Sequence, residues 1–188
     1  VNIIETNIGQ LAFSLNLAIS KAKYDIIARM DSDDIALPNR LQKQIKYLID
    51  NELDLIGTSI NLIDENDGFL GVRLYPRQKL INRYIMFRNC FAHPSIMFRK
   101  DLFLKTRGYN GGFNSEDYDL WLRMRSLKPR WDNMEEPLLN YRVHSNSTQK
   151  SKLAYYECAG YSLREFLKKK SIMSFLSCTY HFIKALVK

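Results

Sequence analysis

The chain has 188 residues, 46% of them hydrophobic and 12% aromatic, and carries a formal charge of +8. That supply of apolar side chains suffices for one packed domain and excludes an intrinsically disordered chain. Cys90, Cys158 and Cys178 are odd in number and far apart, which argues against a disulfide framework or a zinc motif and favours a reducing, cytoplasmic setting.

Val1-Asn2-Ile3-Ile4 has neither an initiator Met nor a secretory leader, so a fragment of a longer chain is expected. Residues 1 to 5 read as a strand. Leu11, Leu15, Ala18, Ile19 and Ala22 then recur at helical spacing after Asn7 and Gly9. A short apolar run, Ile26-Ile27-Ala28, predicts a buried strand and leads into Arg29-Met30-Asp31-Ser32-Asp33-Asp34. Three carboxylates within four residues raise one another's pKa and repel, so they need a cation or strong donors. Two readings stand: a solvated turn with a helix cap, in the ordinary manner of Asp and Ser, or a site for Mg²⁺ or Mn²⁺ carrying a phosphorylated substrate. Pro38 opens an amphipathic helix over residues 38 to 50 with Leu41, Ile45, Leu48 and Ile49 on one face. The turn therefore lies between strand and helix, where open α/β sheets bind ligands.

Leu53 to Ile63 reads as a strand, Glu65-Asn66-Asp67-Gly68 as a turn and Phe69 to Leu74 as its hairpin partner. Helical spacing returns at Leu80, Tyr84 and Phe87, followed by a loop at Cys90 to Pro94 and a short strand from Ser95 to Arg99. A glycine-rich loop, Arg107 to Asn114, precedes Ser115, expected to cap a helix whose first turn holds Glu116 and Asp117. There the helix dipole favours carboxylates. Pro137 to Val143 reads as a strand and His144 to Ser147 as a loop. Trp121 and Leu122 are expected in the core, His93 in a structural hydrogen bond and Arg40 paired with the acidic turn.

The basic charge collects at the end: residues 150 to 188 hold eight Lys or Arg against Glu157 and Glu165. Leu153, Tyr156, Gly160, Leu163 and Leu167 mark a helix, then Lys168-Lys169-Lys170, then an apolar segment from Ile172 to Val187 interrupted by Ser, Thr, His and Lys. It is a poor spanning helix. It reads either as an interfacial anchor on anionic lipid or as helices packed on the domain with solvated lysines. No nucleic-acid reading motif is present. The expected organisation is a domain over residues 1–148 and a basic helical tail over 149–188.

Taken together, the ordered motifs resemble the family 2 glycosyltransferases, in particular the bacterial exopolysaccharide and lipopolysaccharide branch that includes amylovoran-biosynthesis-like transferases. They are Asn7-Ile8-Gly9 with Asn16, Ala28 to Asp34, Pro38 to Leu41, His93-Pro94-Ser95, Gly108-Tyr109, Ser115 to Arg123 and Tyr141 to His144. The resemblance implies an α/β GT-A fold: a mixed, Rossmann-like sheet flanked by helices, here without its first strand region and with added C-terminal helices. It implies an inverting transferase that moves a sugar from a nucleoside-diphosphate sugar, such as a UDP-sugar, to a saccharide or lipid-linked saccharide in cell-surface polysaccharide synthesis. Asp33 would then ligate Mn²⁺ or Mg²⁺, Asp31 would touch the nucleotide-sugar and share the metal, and Asp34 would support both. Asn7 and Asn16 would fall on the donor side and His144 would complete the metal shell. Asp117 would be the general base and Glu116 its positioning neighbour. Peripheral contact with the cytoplasmic face of the inner membrane would agree with the basic tail. The rival expectations are a metal-dependent nucleotidyltransferase, which would release nucleoside monophosphate, and an inactive membrane-associated remnant.

Overall fold

A computed structural model describes residues 2–112, 114–144 and 152–187. Val1, Phe113, the segment 145–151 with the expected Ser145–Ser147 loop and Lys150, and Lys188 lie outside the described residues. In chain order the elements are α1 (Leu11–Lys21), β1 (Ile26–Ala28), β2 (Ile35–Ala36), α2 (Arg40–Asp50), β3 (Leu55–Ile63), β4 (Phe69–Arg73) and α3 (Lys79–Tyr84). They continue with β5 (Met97–Arg99), α4 (Lys100–Lys105), α5 (Glu116–Arg125), β6 (Trp131–Arg142), α6 (Lys152–Lys169) and α7 (Ile172–Val187).

The sheet is mixed, in the order β1-β5-β3-β6-β2, with β4 also pairing β3. Its spine is the parallel pair β3 and β6, with Leu55 opposite Trp131 and Ile63 opposite Arg142. Because side chains alternate along a strand, Leu55 enters one core and Ile56 another. The Leu55 side holds Ile81, Phe91, Phe98, Trp121 and Trp131 beneath α1, α3, α4 and α5. The Ile56 side packs Leu48 of α2 with Met97. Helices thus cover both faces, and Trp121 and Leu122 are core as expected.

On its other edge β3 is served in sequence by β5 at Leu55 and Ile56 and by β4 from Ile60 onward. In the gap, Ser95 stands in for a strand: the Thr58 backbone N–H donates to its hydroxyl at 3.1 Å. This seats the short 3₁₀ turn His93–Ser95 against the sheet. Gly57 makes the arrangement possible, since a Cβ there would lie 2.2 Å from Asn133 Oδ1. Asn133 in turn donates through Nδ2 to the Pro76 and Cys90 carbonyls, at 2.7 and 2.9 Å, and fixes the crossing that leads to the site.

Three expectations need correction. Of the strand expected over residues 1 to 5, the described residues 2–5 form none; their composition suits a pleated surface, but no described strand pairs with them. Ser115 precedes α5 without capping it through its side chain, because its hydroxyl donates to the Ala154 carbonyl of α6 at 3.2 Å. Arg40 forms no ion pair with the acidic turn. It donates instead to the Arg29 and Pro94 carbonyls at 2.7 and 2.9 Å and to Gln44 at 2.9 Å, bridging β1, α2 and the 93–95 turn.

The tail is a helical hairpin. Lys170, at φ 48°, ends α6 in the left-handed region, and α7 returns along it. The hairpin packs on the body through a small and polar stripe, Ala159, Ser162 and Glu165 of α6 and Ser174, Ser177, His181 and Ala185 of α7. Leu153, Leu163 and Leu167, the periodic apolar residues of α6, point outward and are exposed. No described helix is long and apolar enough to cross a membrane.

Candidate active site

The acidic turn follows β1 directly. The Arg29 backbone N–H still donates to Ile96 at 3.0 Å, after which the chain leaves the sheet. Arg29 and Asp31 are two apart in extended backbone and share a side. The buried Arg29 guanidinium grips both Asp31 oxygens, one at 2.9 Å and the other more closely still. This is the counter-charge the turn requires. Burial nevertheless holds the Asp31 carboxyl above its usual range, against the pull of Arg29.

The other two carboxylates are clipped by the end of β6. The Arg142 backbone N–H donates to Asp34 Oδ1 at 3.0 Å, and its side chain donates to the Asp33 and Asp64 carbonyls, each at 2.9 Å. An ion pair with Asp67 at 2.7 Å anchors the same guanidinium. His144 Nε2 lies 2.8 Å from Asp33 Oδ2, and that hydrogen bond lowers the Asp33 pKa. Burial raises Asp34 to about 6.

One oxygen from each of Asp31, Asp33 and Asp34 falls within 4.8 Å of the others. Asp34 Oδ2 is buried without a hydrogen-bond partner. An orphaned carboxylate oxygen beside two further hard oxygen donors fits a divalent cation of the Mg²⁺ or Mn²⁺ kind.

The second constellation faces the first across a cavity of about 530 Å³ whose lining includes Arg29, Asp31, Asn89, Glu116 and Asp117. Asp117 lies in the first turn of α5, with Oδ1 accepting the Tyr118 backbone N–H at 2.6 Å and Oδ2 the Asn89 amide at 2.5 Å. Asn89 is itself oriented by the Phe91 N–H, which donates to its Oδ1 at 3.2 Å. Burial first, and the neighbouring Glu116 second, raise the Asp117 carboxyl to about 6, poised to hold or release a proton near neutrality. His93 forms its expected structural bond, with Nε2 2.7 Å from the Tyr109 hydroxyl, and burial keeps the imidazole neutral.

The structure thus brings Asp31, Glu116 and Asp117 to one cavity and sets Asp33, Asp34 and His144 beside Asp31. Asn16 lies elsewhere: its Nδ2 donates to the Tyr109 carbonyl at 2.8 Å and its Oδ1 accepts the Tyr109 N–H at 2.9 Å, clamping α1 to the 108–109 loop. Asn7 is exposed in the irregular lead-in to α1. Arg29, Asn89 and Arg142 were missed as site residues. Only Arg29 carried a signal, its two-residue spacing from Asp31. The tail helices were expected, but not that Tyr155 and Cys158 of α6 and His181 and Lys184 of α7 line the cavity.

Residues 1–107 match the glycosyl transferase family 2 domain. The chain is 62% identical to the O-antigen biosynthesis glycosyltransferase WbnJ of Escherichia coli, over all of this chain and 75% of that protein. It is 34% identical to the amylovoran biosynthesis glycosyltransferase AmsE of Erwinia amylovora, over 78% of this chain and 55% of that protein. In fold it is similar to the crystal structure of S. aureus TarS in complex with UDP-GlcNAc, with a TM-score of 0.62 and 16% identity over 85% of this chain and 49% of that one. The chain therefore spans only about half of two of these three proteins. The mixed sheet with helices on both faces is the GT-A arrangement expected from the sequence.

Proposed function

The chain belongs to glycosyl transferase family 2, and on that premise we propose that its cavity transfers a sugar, with inversion, from a nucleoside-diphosphate sugar to a saccharide acceptor in cell-surface polysaccharide synthesis. The likeness to an O-antigen and an amylovoran enzyme supports the pathway class. The UDP-GlcNAc bound by TarS supports a UDP-sugar as donor. The observation that carries the reading is one cavity lined by a carboxylate from the acidic turn, Asp31, and by a separate half-buried carboxylate, Asp117.

In this reading the acidic turn is the donor end. Asp33, Asp34 and Asp31 would hold a divalent cation, with His144 beside Asp33, and a cation held there would supply positive charge against the leaving diphosphate. Arg29 aims Asp31 and favours its ionised form against the effect of burial. Asp117 is the acceptor end: its carboxylate takes the proton of the attacking hydroxyl, while Asn89 and the Tyr118 N–H hold both of its oxygens in place. Glu116 positions the sugars. A lipid carrier for the acceptor is proposed on the exposed apolar surface next to this end of the cavity.

Asp117→Asn, assayed with a nucleotide-sugar donor, should keep donor affinity and lower transfer at least about 100-fold. Release of nucleoside diphosphate, not monophosphate, should accompany transfer. Near-wild-type transfer in this variant, or a parallel loss of donor binding, would overturn the assignment. Asp33→Ala should abolish Mn²⁺-dependent binding of UDP in calorimetric titration while the protein stays folded. Unchanged binding would remove the metal site.

A further inference from the structure

α7 is inside out. The stripe it turns inward is Ser174, Ser177, His181 and Ala185. Those side chains spend their polarity inward: Ser177 shares a 2.8 Å hydrogen bond with Ser162 of α6 and donates to the Met86 carbonyl of the body, and His181 lies 3.1 Å from the Tyr118 hydroxyl. What α7 turns outward is apolar: Ile172, Phe175, Phe182, Ile183, Leu186 and Val187 are 49% to 80% exposed. A surface helix in water shows the opposite pattern, and a contiguous exposed apolar face marks a contact with something other than water.

The charge of the segment that carries this face is of one sign. From Phe166 to Val187 the chain has no acidic residue, but it has Lys168, Lys169, Lys170 and Lys184. Lys169 is held by Ser126 at 2.8 Å and Glu165 at 3.8 Å, whereas Lys168 and Lys170 are exposed without an ion pair among the described residues. An apolar helix face on a segment whose only charges are cations complements an apolar phase bounded by anions, and that is an anionic lipid leaflet. No described helix is long and apolar enough to cross such a leaflet.

The same helix walls the cavity. His181 and Lys184 line it from α7, and Tyr155 and Cys158 from α6, on the side that also holds Asp117. Lys184 sits over the Tyr155 and Tyr180 rings, with Nζ 5.3 and 5.2 Å from their centres. We infer that the α6–α7 hairpin is an interfacial element that rests its outer apolar face in the headgroup region of an anionic bilayer and so opens the acceptor end of the cavity toward that surface. The membrane contact stands on the hairpin alone. Its bearing on the acceptor rests on the function proposed above.

The test is cosedimentation of the full chain with vesicles of phosphatidylcholine alone, or with a third of the lipid as phosphatidylglycerol. Binding to the anionic vesicles should be at least about tenfold tighter and should weaken as salt rises. Lys168→Gln with Lys170→Gln should remove that preference. Phe175→Ser with Ile183→Ser should weaken binding to both vesicles at least about tenfold, with an unchanged circular dichroism spectrum. Absence of binding, or equal binding to both vesicle types, would overturn the inference. So would a dimer in sedimentation equilibrium that Phe175→Ser dissociates, because a second copy would then cover the face. Asp117→Asn should bind vesicles like the parent chain, so failure of the catalytic assignment and failure of the membrane contact are read separately.

Discussion

Asp117 is a carboxylate whose two oxygens are both spoken for, by the Tyr118 N–H and the Asn89 amide. Both bonds favour the charged form, and burial opposes them and wins, so the pKa stands at about 6. Removing Asn89 removes one charge-assisted hydrogen bond worth about 1.5 kcal/mol, or about one pKa unit. Asn89→Ala should therefore move the Asp117 ¹³Cγ titration, and the acid limb of the transfer rate, upward by about one unit. The charged groups that set the starting point stay in place: Glu116 on the same helix and Arg29 just after β1. A second consequence concerns stability. A carboxyl raised in the fold favours the folded state when protonated, and that advantage is lost as pH rises from the unfolded value of 3.8 to about 6. Asp117→Asn should thus be near neutral for melting temperature at pH 4 and stabilising by on the order of 2 kcal/mol at pH 8. Calorimetry at the two pH values checks the sign. Asp31, Glu116 and Asp117 were legible because their chemistry is written in consecutive residues. Asn89 was not, because an Asn 28 positions from its partner has no local signature.

At the scale of elements, the sequence revealed strands and helices with strong periodicity, and it failed where pairing decides. Residues 2–5 have the composition of a strand without its neighbour. The start of β6 at Trp131 was overlooked because Asp132 and Asn133 break the apolar alternation. Both turn out to be buried, Asp132 accepting the Gln78 N–H at 2.9 Å and Asn133 tying down Cys90 and Pro76. The loop ahead of α5 is governed in the same way by a contact invisible in sequence, the Asn16 clamp on Tyr109. Gly108 sits inside that clamp at φ +74°, and a Cβ there would come 2.5 Å from Asn16 Oδ1. Gly108→Ala combines left-handed backbone strain with that collision and should cost about 1–3 kcal/mol in urea unfolding. Asn16→Ala strands the Tyr109 N–H and carbonyl and should cost a similar amount, with donor affinity less affected than stability. A loss of UDP affinity in a fully stable Asn16→Ala protein would instead place Asn16 at the donor.

The whole molecule turns on how the basic tail is joined to the body. Net charge alone suggested solvated lysines, yet α6 is tied to α5 by a part-buried ion pair. Asp119 of α5, fully buried, receives Arg123 at 2.8 Å from its own helix, the Asn110 amide at 2.9 Å, and Arg164 from α6 at closer range. Arg164 also reaches Glu165 at 3.2 Å. Nothing in the order of residues announces a pair 45 positions apart, whereas the helicity and charge of the segment were plain. The pair matters because the hairpin forms a wall of the cavity, so loosening the tail should unmake the acceptor end while sparing the acidic turn. Arg164→Gln leaves the Asp119 and Glu165 carboxylates short of a cation in a dry site and should destabilise the protein by about 2–4 kcal/mol. Hydrogen exchange should quicken in α6 and α7 well before it does in β3 and β6, since local opening follows the weakened contact. Asp119→Asn combined with Arg164→Gln should recover part of the loss, because the uncompensated buried charge is then gone. Equal acceleration across β3 and α7 would mean that tail and body unfold as one unit. A stability unchanged in Arg164→Gln would mean that the hairpin is held by its Ser and His stripe alone.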